Sequence, residues 1–256
     1  MKSLENILKT EINKQDGLQL VELIDLTSLN LFDNREDILR LIDKANNGIK
    51  GNLPAAICVY HCDIDFIRPI LNPNIKLVVV GCNFPHGHQD IKLQLLEAAQ
   101  IKSSSIDELD IVMNLGDLKS KKYAKIISEI NSVKNALGNI KLKVILETGD
   151  LNLDEVKIAA ELAISGGADF IKTSTGKTKN GAKYEAVYLM CQVINLHFMK
   201  TGIRIGIKPS GGIRTIKDAL YFYEIVQEVL GEAWLNNRLF RFGASGLFDN
   251  LYKKFN

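Results

Sequence analysis

Eight short, apolar, β-branched runs recur along this chain, and longer segments with helical period lie between several of them. The runs are Leu20–Asp25 (LVELID), Ala55–Tyr60 (AAICVY), Lys76–Gly81 (KLVVVG), Leu109–Met113 (LDIVM), Leu142–Glu147 (LKVILE), Ala168–Lys172 (ADFIK), Ile203–Lys208 (IRIGIK) and Leu239–Gly243 (LFRFG). Most are continuously apolar, the pattern of parallel strands covered on both faces. Asp90–Lys102, Asp154–Ser165 and Thr215–Leu230 instead place apolar residues at i, i+3 and i+4, the period of a helix packed on one side. Eight strands alternating with helices in 256 residues predict one α/β domain over residues 1–256, a (β/α)8 TIM barrel. A doubly wound open sheet is the alternative, because strand count does not show closure. The segment before the first strand predicts an extra amphipathic N-terminal helix covering the N-terminal mouth of the barrel.

Composition excludes several functional classes. Net charge is +2, and the densest basic run, LKSKKYAK from Leu118, reads as the solvated face of a helix, so no nucleic-acid partner is expected. Cysteines stand at 58, 62, 82 and 191, without the spacing of a zinc site. The opening MKSLENILKTEINK lacks the apolar core of a signal peptide. No apolar run approaches the roughly 18 residues of a membrane span. A reducing cytoplasm is the expected compartment.

The strand ends carry the chemistry. In such barrels the active site lies at the C-terminal ends of the strands. There the sequence places Asp25, Asp110, Glu147, Lys172, Lys208 and the run Gly243-Ala244-Ser245-Gly246. By period-two alternation, Asp110 points away from Leu109 and Ile111, into the barrel, and Lys208 shares the face of Gly206, which leaves room around it. Two lysines ending adjacent strands bring two ammonium groups close together. Like charges in a partly desolvated pocket depress a lysine pKa, and a neutral amine is the nucleophile a Schiff base requires. Pro209-Ser210-Gly211-Gly212 and Gly243-Ala244-Ser245-Gly246 each open a helix after strands seven and eight. Those loops are the habitual phosphate site of TIM barrels, so a phosphorylated sugar or aldehyde is the expected small-molecule ligand.

ADFIKTSTGK, GIKPSGGIR, ELDIVMN, NFPHG and RFGAS closely resemble the 2-deoxyribose-5-phosphate aldolase family, in order over nearly the whole chain. The resemblance implies a metal-free and cofactor-free class I aldolase on a (β/α)8 barrel. Such an enzyme reversibly cleaves 2-deoxy-D-ribose 5-phosphate to acetaldehyde and D-glyceraldehyde 3-phosphate. It further implies that Lys172 forms the imine, that Lys208 lowers the pKa of the first lysine, and that Asp110, with a water, shuttles protons. Gly176, Gly211, Gly212, Gly243 and Ser245 match positions that hold the phosphate; Asp25, Cys58 and Thr175 match residues near the substrate. A homodimer is compatible with the family, although one chain does not fix the oligomeric state.

Two departures stand out. Gly246 follows Ser245 where a second serine is common, and the chain reads Lys253-Lys254-Phe255-Asn256 where some relatives carry a tail ending in tyrosine. Proton-transfer help of that kind is therefore expected from elsewhere. Two rivals are a metal-dependent aldolase using His86, His88 and Asp110 or Asp63, and a non-catalytic phosphosugar-binding barrel.

Overall fold

The computed structural model describes residues 4–8 and 17–256. Its strands are β1 (Ile24–Thr27), β2 (Ala56–Tyr60), β3 (Lys76–Val80), β4 (Glu108–Val112), β5 (Lys141–Ile145), β6 (Phe170–Lys172), β7 (Gly206–Lys208) and β8 (Phe242–Gly243). Neighbours pair in parallel in the order β7-β6-β5-β4-β3-β2-β1-β8. Bridges Ile207–Phe240 and Ser210–Gly243 close the seam between β7 and β8. The sheet is therefore a (β/α)8 barrel, not an open doubly wound sheet.

The helices are α1 (Leu4–Leu8), α2 (Arg35–Asn47), α3 (Ile64–Ile67), α4 (Ile91–Ser103), α5 (Leu115–Lys119), α6 (Tyr123–Leu137), α7 (Leu153–Ser165), α8 (Tyr184–Thr201), α9 (Ile216–Leu230) and α10 (Gly246–Phe255). The three segments with clear helical period are α4, α7 and α9, within a residue or so of expectation. Their starts are fixed by side chains that accept otherwise unpaired backbone N–H groups: Asp90 from Lys92 at 2.9 Å, Asn152 from Glu155 at 2.9 Å and Thr215 from Asp218 at 3.0 Å. The main apolar core lies between sheet and helices, where Ile57, Leu77, Leu109, Val144, Ile171 and Ile207 are buried. Each such side chain contributes about 1.5–3 kcal/mol on leaving water. The basic run after Leu118 is solvated as expected, with Lys119 paired to Glu155 at 2.6 Å and Lys125 to Asp117 at 2.6 Å.

Two expectations need correction. Leu18–Leu23 is a 3-10 helix, and the first strand starts at Ile24; a short, continuously apolar run does not distinguish the two. β7 is shorter than expected because residues 202–205 are irregular, with Ile203 57% exposed, and β8 is confined to Phe242–Gly243 behind a turn, with Phe240 held only by an isolated bridge. Of the predicted N-terminal helix, only α1 is among the described residues. It packs on α8 and α9, and the rest of the segment expected over the N-terminal mouth lies outside the described residues; the mouth itself is lined by Lys76, Asp107, Lys141, Arg204, Arg238 and Arg241.

The barrel interior is divided. Ala56, Cys58, Val78 and Val80 form an apolar wall on β2 and β3, joined by Leu29 and backed by Tyr60 and Phe84. The remaining strands, β8 excepted, point charges inward, where TIM barrels ordinarily stack branched aliphatics.

Candidate active site

Register sets the centre of the site. Lys172 of β6 lies beside Lys208 of β7, and Asp110 of β4 lies beside Lys143 of β5. With side chains alternating across each strand, all four reach the lumen, as expected for Asp110, Lys172 and Lys208. Asp110 Oδ2 accepts from Lys172 Nζ at 2.9 Å and from Lys208 Nζ at 2.8 Å, while Oδ1 accepts from Lys143 Nζ at 2.9 Å. Below this, Asp25 Oδ2 meets Lys208 Nζ at 2.5 Å and Asp25 Oδ1 meets Arg241 Nη1 at 2.5 Å. Arg241 Nη2 donates to Glu108 Oε1 at 2.9 Å, and Glu108 Oε2 closes the circuit on Lys143. Three carboxylates thus face four basic side chains, with one base in excess.

This arrangement is electrostatically self-consistent. Burial alone would raise the Asp110 pKa, but the ammonium groups of Lys143, Lys172 and Lys208 outweigh it and hold the carboxyl well below the ordinary 3.8. Burial also opposes the Lys208 charge, and the Asp110 and Asp25 carboxylates overcome it, pushing the pKa above 10.5. Asp25 is lowered against its burial by Lys208, Arg241 and Lys143. Lys208 is accordingly a fixed cation beside Lys172.

The room expected beside Gly206 is occupied. A Cβ there would come within 2.3 Å of the Phe170 ring, and that ring lies under Lys143 Nζ at 5.7 Å and Arg241 at 6.0 Å. Gly243 is needed for a different reason: a Cβ would stand 2.7 Å from Ser210 Cβ and 3.2 Å from Lys208 Cε. Only glycine lets the Lys208 side chain pass there to Asp110.

Above the charged floor opens a cavity of about 290 Å³. Lys172 lines it together with Thr175, Gly176, Gly211, Gly212, Gly243 and Ser245, the residues expected to hold substrate, and also Lys177 and Arg214. Gly176, Gly211 and Gly212 have φ of +74°, +82° and +77°, left-handed conformations that cost a side-chain-bearing residue energy. Ser245 precedes α10 without capping it through its side chain, so the first N–H groups of that helix remain available to an anion.

The loops that shape this cavity are tied together. Glu147, itself at φ 52°, accepts the Thr175 N–H at 3.2 Å and also the Thr175 hydroxyl. Burial pushes the Glu147 pKa up, against those hydrogen bonds. Thr173 Oγ1 donates to Ser210 O at 2.9 Å, Ser210 Oγ donates to Ser174 O at 2.6 Å, and the Ala182 N–H reaches Ser210 O at 3.1 Å. Gly243 N–H donates to Pro209 O at 2.9 Å. The connections after β5, β6 and β7 and the end of β8 therefore hold one another.

Not every expected residue reaches the cavity. Asp110, Lys208 and Asp25 lie in its floor, fully buried, and Cys58 belongs to the apolar wall, where burial raises its thiol pKa. Among the described residues, no group of three or more His, Cys, Asp or Glu side chains is placed to hold a metal ion; His86, His88 and Asp63 do not converge with Asp110. Sequence reasoning missed Lys143, Glu108 and Arg241. Lys143 carried a signal, a lysine two residues into an apolar strand, whereas Arg241 reads like an ordinary basic flank.

A (β/α)8 barrel with buried lysines at its strand ends and a glycine-lined cradle after the last two strands defines an enzyme of the aldolase barrels. The profile of the DeoC/LacD family of aldolases matches residues 19–244, and the chain belongs to that family. It is 36% identical over 250 residues to a Caenorhabditis elegans protein assigned as a deoxyribose-phosphate aldolase, covering 94% of this chain and 82% of the relative. It is 36% identical over 253 residues to the deoxyribose-phosphate aldolase of Homo sapiens, covering 93% and 80%. A crystal structure from Coccidioides immitis, also assigned as a deoxyribose-phosphate aldolase, superposes with a TM-score of 0.80 at 26% identity, covering 99% of this chain and 98% of that one.

Proposed function

We propose that this aldolase works through a Schiff base on Lys172 and reversibly cleaves 2-deoxy-D-ribose 5-phosphate to acetaldehyde and D-glyceraldehyde 3-phosphate. The observation that carries the reading is the shared oxygen: Lys172 and Lys208 both bond Asp110 Oδ2, at 2.9 and 2.8 Å, and of these three only Lys172 lines the cavity. The activity of the human relative supplies the substrate.

The free amine of Lys172 adds to the C1 aldehyde of the open-chain sugar, and the carbinolamine loses water to give an iminium. A base removes the C3 hydroxyl proton; the C2–C3 bond breaks, and its electron pair moves onto the iminium to form an enamine. Glyceraldehyde 3-phosphate leaves with C3 to C5. The enamine takes a proton at C2, and water hydrolyses the imine to acetaldehyde and free lysine. Asp110, with a water, passes the protons, as positioned acid–base groups do, and the Lys208 cation beside Lys172 favours the free amine. Gly176, Gly211, Gly212, Gly243 and Ser245 hold the phosphate, with Asp25 fixing Lys208, Thr175 fixing the loop after β6, and Cys58 walling the site. No cofactor enters this scheme. The whole of residues 1–256 acts as one catalytic unit, in the cytoplasm.

Peptide mass spectrometry after acetaldehyde and borohydride treatment tests the scheme. The expected result is a reduced two-carbon adduct on Lys172 that is absent from Lys172→Leu. Binding of the sugar phosphate with no adduct on any lysine would instead favour a non-catalytic phosphosugar-binding barrel.

A further inference from the structure

We infer that Glu108 and Arg241, at the end of the lumen away from the substrate cavity, are positioning residues that decide whether Lys172 carries its proton. The inference rests on Lys172 being the imine-forming amine. Neither residue lines the substrate cavity; both line the opening at the N-terminal mouth. They reach Lys172 through the buried circuit. One branch runs from Arg241 through Asp25 and Lys208 to Asp110, and the other from Arg241 through Glu108 and Lys143 to Asp110.

Counting charges shows why the far end matters. The circuit holds three carboxylates and four basic groups, so it is neutral only when one base is deprotonated, and net charge deep in a protein is costly. Arg241 bonds Asp25 and Glu108, Lys143 bonds Glu108 and Asp110, and Lys208 bonds Asp25 and Asp110. Lys172 meets a single carboxylate oxygen, which it shares with Lys208. It is therefore the base held least, and among the four it alone lines the substrate cavity. The charge of Arg241 makes Lys172 the surplus proton carrier, and the charge of Glu108 limits how readily that proton is lost.

Strands all around the lumen except β3 enter this balance. Asp25 comes from β1, Cys58 from β2, Glu108 and Asp110 from β4, Lys143 from β5, Lys208 from β7 and Arg241 from the residue before β8, while β3 offers only Val78 and Val80. Lys177 and Arg214 line the cavity above, and Glu147 lies behind Thr175. Among these, Glu108 and Arg241 can be altered without touching a direct partner of Lys172.

The signs follow directly. Removing a positive charge favours the protonated amine, so Arg241→Met shifts the pH midpoint of Lys172 reactivity upward. Removing a negative charge does the reverse, so Glu108→Gln shifts it downward. At an effective dielectric constant near 20, a unit charge about 10 Å away is worth roughly one pH unit. The double variant removes one charge of each sign and returns the midpoint to that of the unaltered protein. A merely structural role would not give opposite shifts that cancel.

The experiment follows the rate at which acetaldehyde and cyanoborohydride alkylate Lys172 between pH 5 and 10, read by peptide mass spectrometry, alongside the pH profile of kcat. Shifts of opposite sign in the single variants and recovery in the double variant are expected. Should Arg241→Met not fold, a downward shift in Glu108→Gln carries the inference. A midpoint that is unmoved or raised in Glu108→Gln, while Lys172 still reacts, overturns it and leaves the Schiff-base reading intact. Absence of any Lys172 adduct in the unaltered protein overturns both.

Discussion

Gly243 and Gly246 stand three residues apart in the same cradle, yet they differ in kind. At Gly243 a methyl group would press on Ser210 and on the Lys208 side chain at 2.7 and 3.2 Å, so Gly243→Ala displaces the cation from Asp110. Activity is expected to fall at least tenfold in kcat, with a folded-state cost of about 1–3 kcal/mol from overpacking. At Gly246 a Cβ would meet only the Arg214 side chain, at 3.4 Å, an ordinary contact. Gly246→Ser adds a hydroxyl to the first turn of α10. It is expected to lower KM for the phosphorylated substrate severalfold with kcat unchanged, as a net hydrogen bond of about 1 kcal/mol permits. Steady-state kinetics on both variants check the contrast; equal behaviour would remove the steric account of Gly243. Residues of this kind were only partly legible. The triplet of Lys172, Lys208 and Asp110 follows from strand parity, because each is a charge where an apolar residue belongs. Arg241 does not stand out from Arg238 in NRLFRFG, because only the shortened β8 shows which of the two turns inward.

At the level of elements, the loops after β5 and β6 depend on Glu147. Its carboxylate accepts both the N–H and the hydroxyl of Thr175, and it occupies a left-handed backbone conformation for which its residue type has no intrinsic preference. Glu147→Ala leaves both donors without that acceptor and frees the segment carrying Gly176 and Lys177. The expected outcome is a rise of about tenfold in KM for the phosphorylated substrate and a smaller change in kcat, whereas Glu147→Gln, which keeps one acceptor oxygen, falls between. Equal loss in both variants, confined to kcat, would remove this role. The strands β2 to β5 were legible from their runs of Val, Ile and Leu. The first strand was misplaced because Leu20, Val21 and Leu23 are as buried in a 3-10 turn as they would be in a strand. The ties among loops were invisible, since Thr, Ser and Gly in sequence signal only a turn.

For the molecule as a whole, the buried ion network has a defined pH response. Asp25 and Asp110 have pKa values lowered from 3.8. Their contribution to stability is fully present above that value and is lost as pH falls through the folded-state values. Glu147 is raised from 4.5 and works oppositely: its contribution is present at low pH and is lost as pH rises through its folded value. Lys143 and Lys208, raised from 10.5, lose theirs only as pH climbs beyond that point. Thermal unfolding followed across pH should give a Tm that is nearly level from about 5 to 8 and falls steeply below about 4. A Tm already falling between pH 7 and 5 would show that the carboxylates are not held as the network requires.

Because four consecutive strand ends are tied into one frame, the span from Lys172 to the anion cradle behaves as a fixed length. On the proposed reading, a phosphate seated against Gly212 and Ser245 would leave only one stretch of the open-chain substrate beside the amine. The barrel would thereby measure carbon number: an aldehyde one carbon longer or shorter, with its phosphate in place, would present a different atom to Lys172. Chain-length selectivity then belongs to the frame as a whole, and loosening any of its ties would blur the measurement before it abolished the chemistry.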